Sequence, residues 1–353
     1  MIHLPFSIFF AFSIRTSTII MVHIPVQQQN FGNTELRISP IIVDCETLGF
    51  QEWWYSRKYA LKVLPILKSC YDKALRTFDI HEQGEALLTE FLEEYQIKRE
   101  TIVIVKGIDF FLGASDALEV FGPEERELSK TQGYWREHIL SNVAESVKHF
   151  GYIDVMQVPH LGPELPLEEI MCALNEVVEN GHVRYLSASS MPVSQLVQLE
   201  EISERHNWAK IVGLELFYNL LHREDEHELI PYAREHGMAL MSFAPLASGV
   251  LARSLGDATK RTHPGSYLAA EVGQLWPKQQ AAVSRLQELA ASKHRPMAAV
   301  AVAWVRSKGC VPIVGFSSME HVDDALDALY TTLSPAEIEH LELFYCRGGL
   351  YGK

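Results

Sequence analysis

The sequence predicts an α/β protein, a (β/α)8 TIM barrel in a single domain. From Ile38 onward, short β-branched or apolar runs alternate with longer stretches of helical period, at a spacing of about 25 to 45 residues. Eight of the short runs read as strands, the number that closes a parallel barrel. No strand runs into a GxGxxG turn, so an open doubly wound sheet, the nearest competing architecture, loses its best support.

In chain order the strands fall at Pro40–Cys45, Arg76–Ile80, Thr101–Gly107, Tyr152–Pro159, Val183–Ser189, Ile211–Asn219, Met238–Pro245 and Val311–Phe316. Between them, helical periodicity marks Lys58–Leu75, Glu85–Tyr95, Arg136–Phe150, Leu167–Asn180, Ser194–His206, Glu224–His236 and Pro296–Lys308. Gly181, Gly237 and Gly309 close three of these helices just ahead of the next strand, where a left-handed cap is needed. The longer non-periodic stretches, Gly49–Arg57, Ile108–Tyr134 and Ala252–Trp276, each follow a strand, which in a barrel places them on the C-terminal face where ligand sites are built. No Pro, Gly or Ser linker divides the chain.

Composition narrows the function classes. With 353 residues, 47% hydrophobic and 22% charged, the chain is neither disordered, collagenous nor a coiled coil. It carries 31 Lys plus Arg against 45 Asp plus Glu, a net charge of −14, and no basic run, which argues against nucleic acid as a partner. Five scattered cysteines without a CxxC or a Cys/His cluster read as reduced thiols in a cytoplasmic protein with no metal centre. The apolar run Leu4–Ile14 is too short to span a bilayer, and the only basic residue of the first twenty, Arg15, follows it rather than preceding it as in a secretory signal. Residues 1–20 are therefore expected to be an extension, with the barrel over 21–353 beginning near Met21 and no membrane partner.

If the barrel forms, chemistry belongs to the strand ends: Asp44, Glu46, Asp79, His81, Lys106, His160, Ser189, Ser190, Glu215 and Phe243. Lys106, ending the apolar run TIVIVKG, has two readings: a side chain snorkelling at the rim, or a cation held charged by Asp79 and tuning a proton donor. Asp79 reads equally as a turn former, the serine pair as a helix cap and His160 as a loop residue.

The segments GNTELRISPIIVDCETLG, TFD, YIDVMQVPH, HVRYLSASSM, YNLLHRE, MSFAPLASGVLAR and CVPIVGFSSMEHVDDAL, in that order, resemble the aldo-keto reductases. The likeness is greatest to the fungal aryl-alcohol dehydrogenases and secondary-metabolite reductases, and it runs from about Val22 to Leu333. It implies a barrel that binds NADP across its C-terminal face and transfers hydride reversibly to a small-molecule aldehyde or ketone. It implies also four catalytic groups: an aspartate matched by Asp79, a lysine matched by Lys106, a tyrosine proton donor and a histidine that orients the carbonyl. For the cofactor it points to Asp79, to Ser189, Ser190 and Glu215 at the carboxamide, and to Phe243 stacking on the nicotinamide. Pro245, Leu246, Ser248, Gly249 and Arg253 match the pyrophosphate loop, and Gly315, Ser317, Ser318 and His321 the segment that takes the 2′-phosphate.

The chain departs from the family pattern where the chemistry is. After Asp79 it reads IHEQGEALL in place of a segment like DTADVYGNG, so the tyrosine is missing, and Pro159 stands at the histidine position with His160 next to it. Glu215 replaces a glutamine, Asp44 and Glu46 replace uncharged residues, and neutral Ser317, Ser318 and His321 replace basic ones. Arg253 and Lys260 are the cations placed to compensate. A substitute proton donor is needed, and His81, His160 and Tyr55 are the candidates in that order. Three functions stay open: an NADPH-linked carbonyl reductase, a catalytically impaired relative that keeps the barrel, and a lyase or isomerase using the cleft for acid–base work.

Overall fold

The computed structural model describes residues 26–45, 57–108, 134–163, 165–255, 275–343 and 345. Residues 1–20, Glu46, Tyr55, Lys260, Cys346 and most of the three long strand-to-helix stretches lie outside them.

The strands are β1 Gln29–Asn30, β2 Arg37–Ile38, β3 Ile42–Asp44, β4 Thr77–Ile80, β5 Val103–Gly107, β6 Ile153–Pro159, β7 Val183–Ser189, β8 Ile211–Phe217, β9 Ala239–Phe243 and β10 Val311–Val314. The last eight, all parallel, close into a barrel in sequence order, with β10 pairing back onto β3. All eight lie within the runs read as strands. The helices are α1 Arg57–Asp72, α2 Glu82–Glu94, α3 Tyr134–Phe150, α4 Leu167–Glu179, α5 Val193–His206, α6 Leu229–Glu235, α7 Pro277–Lys293, α8 Met297–Ser307, α9 Met319–Tyr330 and α10 Pro335–Glu342. Gly181, Gly237 and Gly309 do adopt positive φ, at 73°, 64° and 74°.

Strand alternation divides the core. Ile42, Val105, Val155, Ala239, Met241, Val311 and Ile313 point inward and form one cluster with Phe31. Their neighbours Val43, Phe78, Ile80 and Ile104 point outward onto Leu67, Leu88 and Phe91 of α1 and α2. Phe31 belongs to the β1–β2 hairpin at the N-terminal end of the barrel, where the Asn33 N–H donates to the Gly237 carbonyl (2.9 Å). On the same side, Asp154 is 1% exposed and its carboxylate accepts from Arg99 (2.6 Å), Arg184 (3.0 Å) and the Ile104 N–H (2.9 Å). The interior below the mouth is thus filled, and it is the C-terminal face that is left for a ligand.

On the loop after β8, burial first and the neighbouring Glu224 charge second push the Asp225 carboxyl up from 3.8 to about 6. The folded chain then holds that proton more tightly than the unfolded one, so stability falls as pH rises from the ordinary range to about 6. Asp225→Asn should raise the thermal midpoint at neutral pH by an amount worth about 1–2 kcal/mol after screening, and leave it unchanged below about pH 4. Differential scanning calorimetry at the two pH values checks this; a gain of the same size at both contradicts it.

Candidate active site

The C-terminal mouth is built strand by strand. β4 turns Asp79 inward, beside Asp44 of β3 in register, and Asp79 is 6% exposed. The chain stays extended through His81 (φ −114°), which caps α2, so His81 follows Asp79 on the same face. Its imidazole lies on Gly107, the last residue of β5. A β-carbon on Gly107 would fall 2.3 Å from His81 Cε1 and 2.6 Å from Nδ1, so only glycine admits the ring there.

Lys106 does not join this group. It was expected beside Asp79, but its strand neighbours fix the opposite face: Val105 and Gly107 point inward, Ile104 and Lys106 outward. The Lys106 Nζ lies 2.5 Å from Glu85 Oε1 on α2, and Ser146 of α3 donates to the same oxygen. The lysine is 1% exposed and sits between barrel wall and helices. The reading of Lys106 as a cation held charged by Asp79 is therefore corrected; the inward position at that level of β5 belongs to Gly107.

On β6 the inward residue beside Gly107 in register is Gln157, 1% exposed. Its Nε2 donates to Glu215 Oε2 of β8, and its Oε1 is buried without a hydrogen-bond partner. Glu215 Oε1 accepts from Ser189 Oγ of β7 (3.3 Å), and the Ser190 N–H donates to the Glu215 carbonyl (3.0 Å). Burial raises the Glu215 carboxyl above the ordinary range, and the Asp44 charge adds to it. His81 and the bonds from Gln157 and Ser189 pull the other way. The influence of Asp44 and His81 on Glu215 places all three in one electrostatic neighbourhood. Pro159, paired with Ser189, takes the next inward position of β6. His160 follows it just past the end of the strand, exposed and without a hydrogen bond to another described residue.

The opposite arc is aromatic. Phe217 and Phe243 end β8 and β9 in register, with ring centroids 5.1 Å apart and each 39% exposed. Beyond them the backbone is strained: Ala244, Ala247 and Ser248 have φ of 51°, 46° and 55°, unusual for residues with side chains, and Gly249 has 97°. Asn219, fully buried, holds this loop by donating to the Ala244 carbonyl (3.0 Å) while its Oδ1 accepts from Leu221 and His222 N–H. Pro245 and Leu246 lie inside the loop and Arg253 leaves it exposed. After β10, Gly315 leads to Ser318, whose Oγ accepts from the His321 N–H (3.2 Å) as the cap of α9, while Ser317 Oγ and His321 Nδ1 are 3.0 Å apart. Glu320, Asp323 and Asp324 follow, and burial raises the Asp324 carboxyl.

Sequence reasoning passed over Gly107, Gln157, Phe217 and Asn219. Two carried a signal: a polar residue inside the apolar run IDVMQVP, and a glycine closing TIVIVKG.

A closed parallel barrel with polar and aromatic side chains gathered at the C-terminal strand ends is the architecture of a barrel enzyme and its active site. The model of the aldo/keto reductase family matches residues 47–345, and the chain belongs to that family. It is similar to a Saccharomyces cerevisiae protein provisionally named an aryl-alcohol dehydrogenase, with 40% identity over 332 residues, 90% of this chain and 96% of that one. It is similar also to the versiconal hemiacetal acetate reductase of Aspergillus parasiticus, with 34% identity over 90% of this chain and 96% of the other. The fold matches the crystal structure of a thermostable aldo-keto reductase with a TM-score of 0.67, at 20% identity and covering 90% and 98% of the two chains. The family is one of oxidoreductases that work with nicotinamide cofactors on carbonyl compounds. Among the described residues no helix is long and apolar enough to cross a membrane.

Proposed function

We propose that the protein is an NADP-dependent carbonyl reductase, cytoplasmic and serving fungal secondary metabolism, that reduces a small aldehyde or ketone with His81 as proton donor. The observation that carries this reading is the seating of the His81 ring on Gly107, which presents an imidazole at the mouth where the family tyrosine is absent. The fungal relatives named as reductases support the metabolic role.

The residues present fit a nicotinamide cofactor at one end better than at the other. Exposed Phe243 and Phe217 offer a face to a planar ring, and Ser189, Ser190 and Glu215 stand beside it to take the carboxamide. The loop through Pro245, Leu246, Ser248 and Gly249 stores backbone strain of the kind kept at ligand sites, with Arg253 as its cation. At the far end Ser317, Ser318 and His321 are bonded to one another, and Glu320, Asp323 and Asp324 add negative charge. A 2′-phosphate would meet hydroxyls and an imidazole there rather than a guanidinium fork.

When bound, the reduced nicotinamide supplies a hydride to the carbonyl carbon. The chain's part is the proton and the surroundings. His81 would supply the proton that the carbonyl oxygen takes up as it gains charge. Asp79 is buried two residues before it on the same face. Gln157, Glu215 and Ser189 close the floor of the mouth.

NADPH and NADH titrations followed by fluorescence test the reading. The dissociation constants should differ by about tenfold or less. A thousandfold preference for NADPH contradicts the account of the far end, and absence of binding contradicts the reductase. One observation favours the second reading, a catalytically impaired relative: with Lys106 turned to the helices, no buried lysine faces the mouth among the described residues. Normal NADPH binding without reduction of any aldehyde or ketone would establish it.

A further inference from the structure

Among the described residues, the floor of the mouth holds a buried amide oxygen, Gln157 Oε1, that has no hydrogen-bond partner within the protein. Gln157 is 1% exposed, its amide nitrogen is committed to Glu215, and its Oε1 is buried with no hydrogen-bond partner. A buried carbonyl oxygen left this way costs stability, and such groups are satisfied in the great majority of native structures. Its position is not incidental. Gln157 pairs in register with Gly107, the residue under the His81 ring, and its own bond reaches across β7 to Glu215, so it sits on the floor between the proposed donor and the Ser189–Glu215 pair. The amide cannot turn away without breaking the bond to Glu215. A carbonyl oxygen accepts and cannot donate, so the group that completes it carries an O–H or N–H. Asp44, Asp79 and Glu215 line the same mouth, which disfavours an anionic ligand.

We propose that Gln157 is a specificity-determining residue that accepts a hydrogen bond from a hydroxyl of the substrate, so that the substrates are uncharged aldehydes or ketones bearing a hydroxyl. This rests on the reductase reading of the same site. A site built to hydrogen-bond a hydroxyl rejects the analogue lacking it, because its own buried group is then left unpaired.

The test compares benzaldehyde with its hydroxy and methoxy derivatives at each ring position, for the unmodified protein and for Gln157→Met, which keeps the length of the side chain and removes the acceptor. At one ring position the hydroxy compound should exceed both the methoxy and the unsubstituted one in kcat/KM by at least about tenfold, and Gln157→Met should reduce that ratio to within about twofold. Equal treatment of the three by the unmodified protein overturns the proposal, as does a ratio that survives in Gln157→Met. If Gln157→Met weakens NADPH binding while the ratio stands, the donor is the cofactor's carboxamide and the substrate assignment is overturned. Calorimetric binding of 4-hydroxybenzyl alcohol against benzyl alcohol, run on both proteins, reads the same preference without turnover. It therefore separates a failure of this proposal from a failure of the reductase reading.

Discussion

His81→Ala is expected to slow carbonyl reduction by about 10²- to 10⁴-fold while leaving NADPH affinity nearly unchanged, because a positioned general acid acts in the chemical step and not in cofactor binding. Gly107→Ala should reproduce much of that loss with the imidazole still present, since the added methyl would occupy a point 2.3 Å from the ring carbon and force the ring off its seat. His160→Ala should change the rate by no more than about twofold, its side chain being exposed and without a hydrogen bond to another described residue. An imidazole donor also sets the direction of the pH dependence: the rate falls as pH rises through the range where histidine loses its proton, whereas a tyrosine donor would hold the rate well beyond it. Steady-state kinetics on the three variants check the assignment. If His81→Ala reduces aldehydes at the unmodified rate, the donor lies elsewhere.

The second large effect is on stability. Lys106→Ala removes one partner of a buried ion pair and leaves Glu85 with an uncompensated charge in the helix layer, a loss of about 3–5 kcal/mol. Replacing the pair by apolar residues of similar volume, Lys106→Met with Glu85→Leu, removes both charges together and should restore most of that stability. Thermal denaturation separates the two, and the double variant then allows kinetics on a folded protein without Lys106. Its kcat/KM should stay within a few-fold of the unmodified value, because the ammonium points away from the mouth.

The misplacement of Lys106 shows where sequence stops being sufficient. All eight barrel strands were legible as apolar runs, and so was the placing of Asp79, Ser189, Glu215 and Phe243 at strand ends. Which face a residue takes depends on a register of one, and TIVIVKG offers a lysine and a glycine side by side. The pairing of β4 with β5 decides it, through Asp79 opposite Val105 and Ile80 opposite Lys106. The contact from His81 to Gly107 and the bond from Gln157 to Glu215 join residues far apart in sequence that only barrel closure brings together. The β1–β2 hairpin escaped for a different reason: two strands of two residues each are too short for any period to register.

The most direct test of the central claim, that carbonyl reduction here uses an imidazole at the mouth and no lysine, is a single-turnover measurement. NADPH-loaded enzyme is mixed with a hydroxybenzaldehyde and the loss of reduced-nicotinamide fluorescence is followed, for the unmodified protein, His81→Ala and the Lys106→Met/Glu85→Leu double variant. Aldehyde-dependent oxidation is expected in the first, a rate about 10²- to 10⁴-fold lower in the second, and a rate close to the first in the third. A double variant that is folded and binds NADPH, yet loses the reaction while His81→Ala keeps it, would contradict the account.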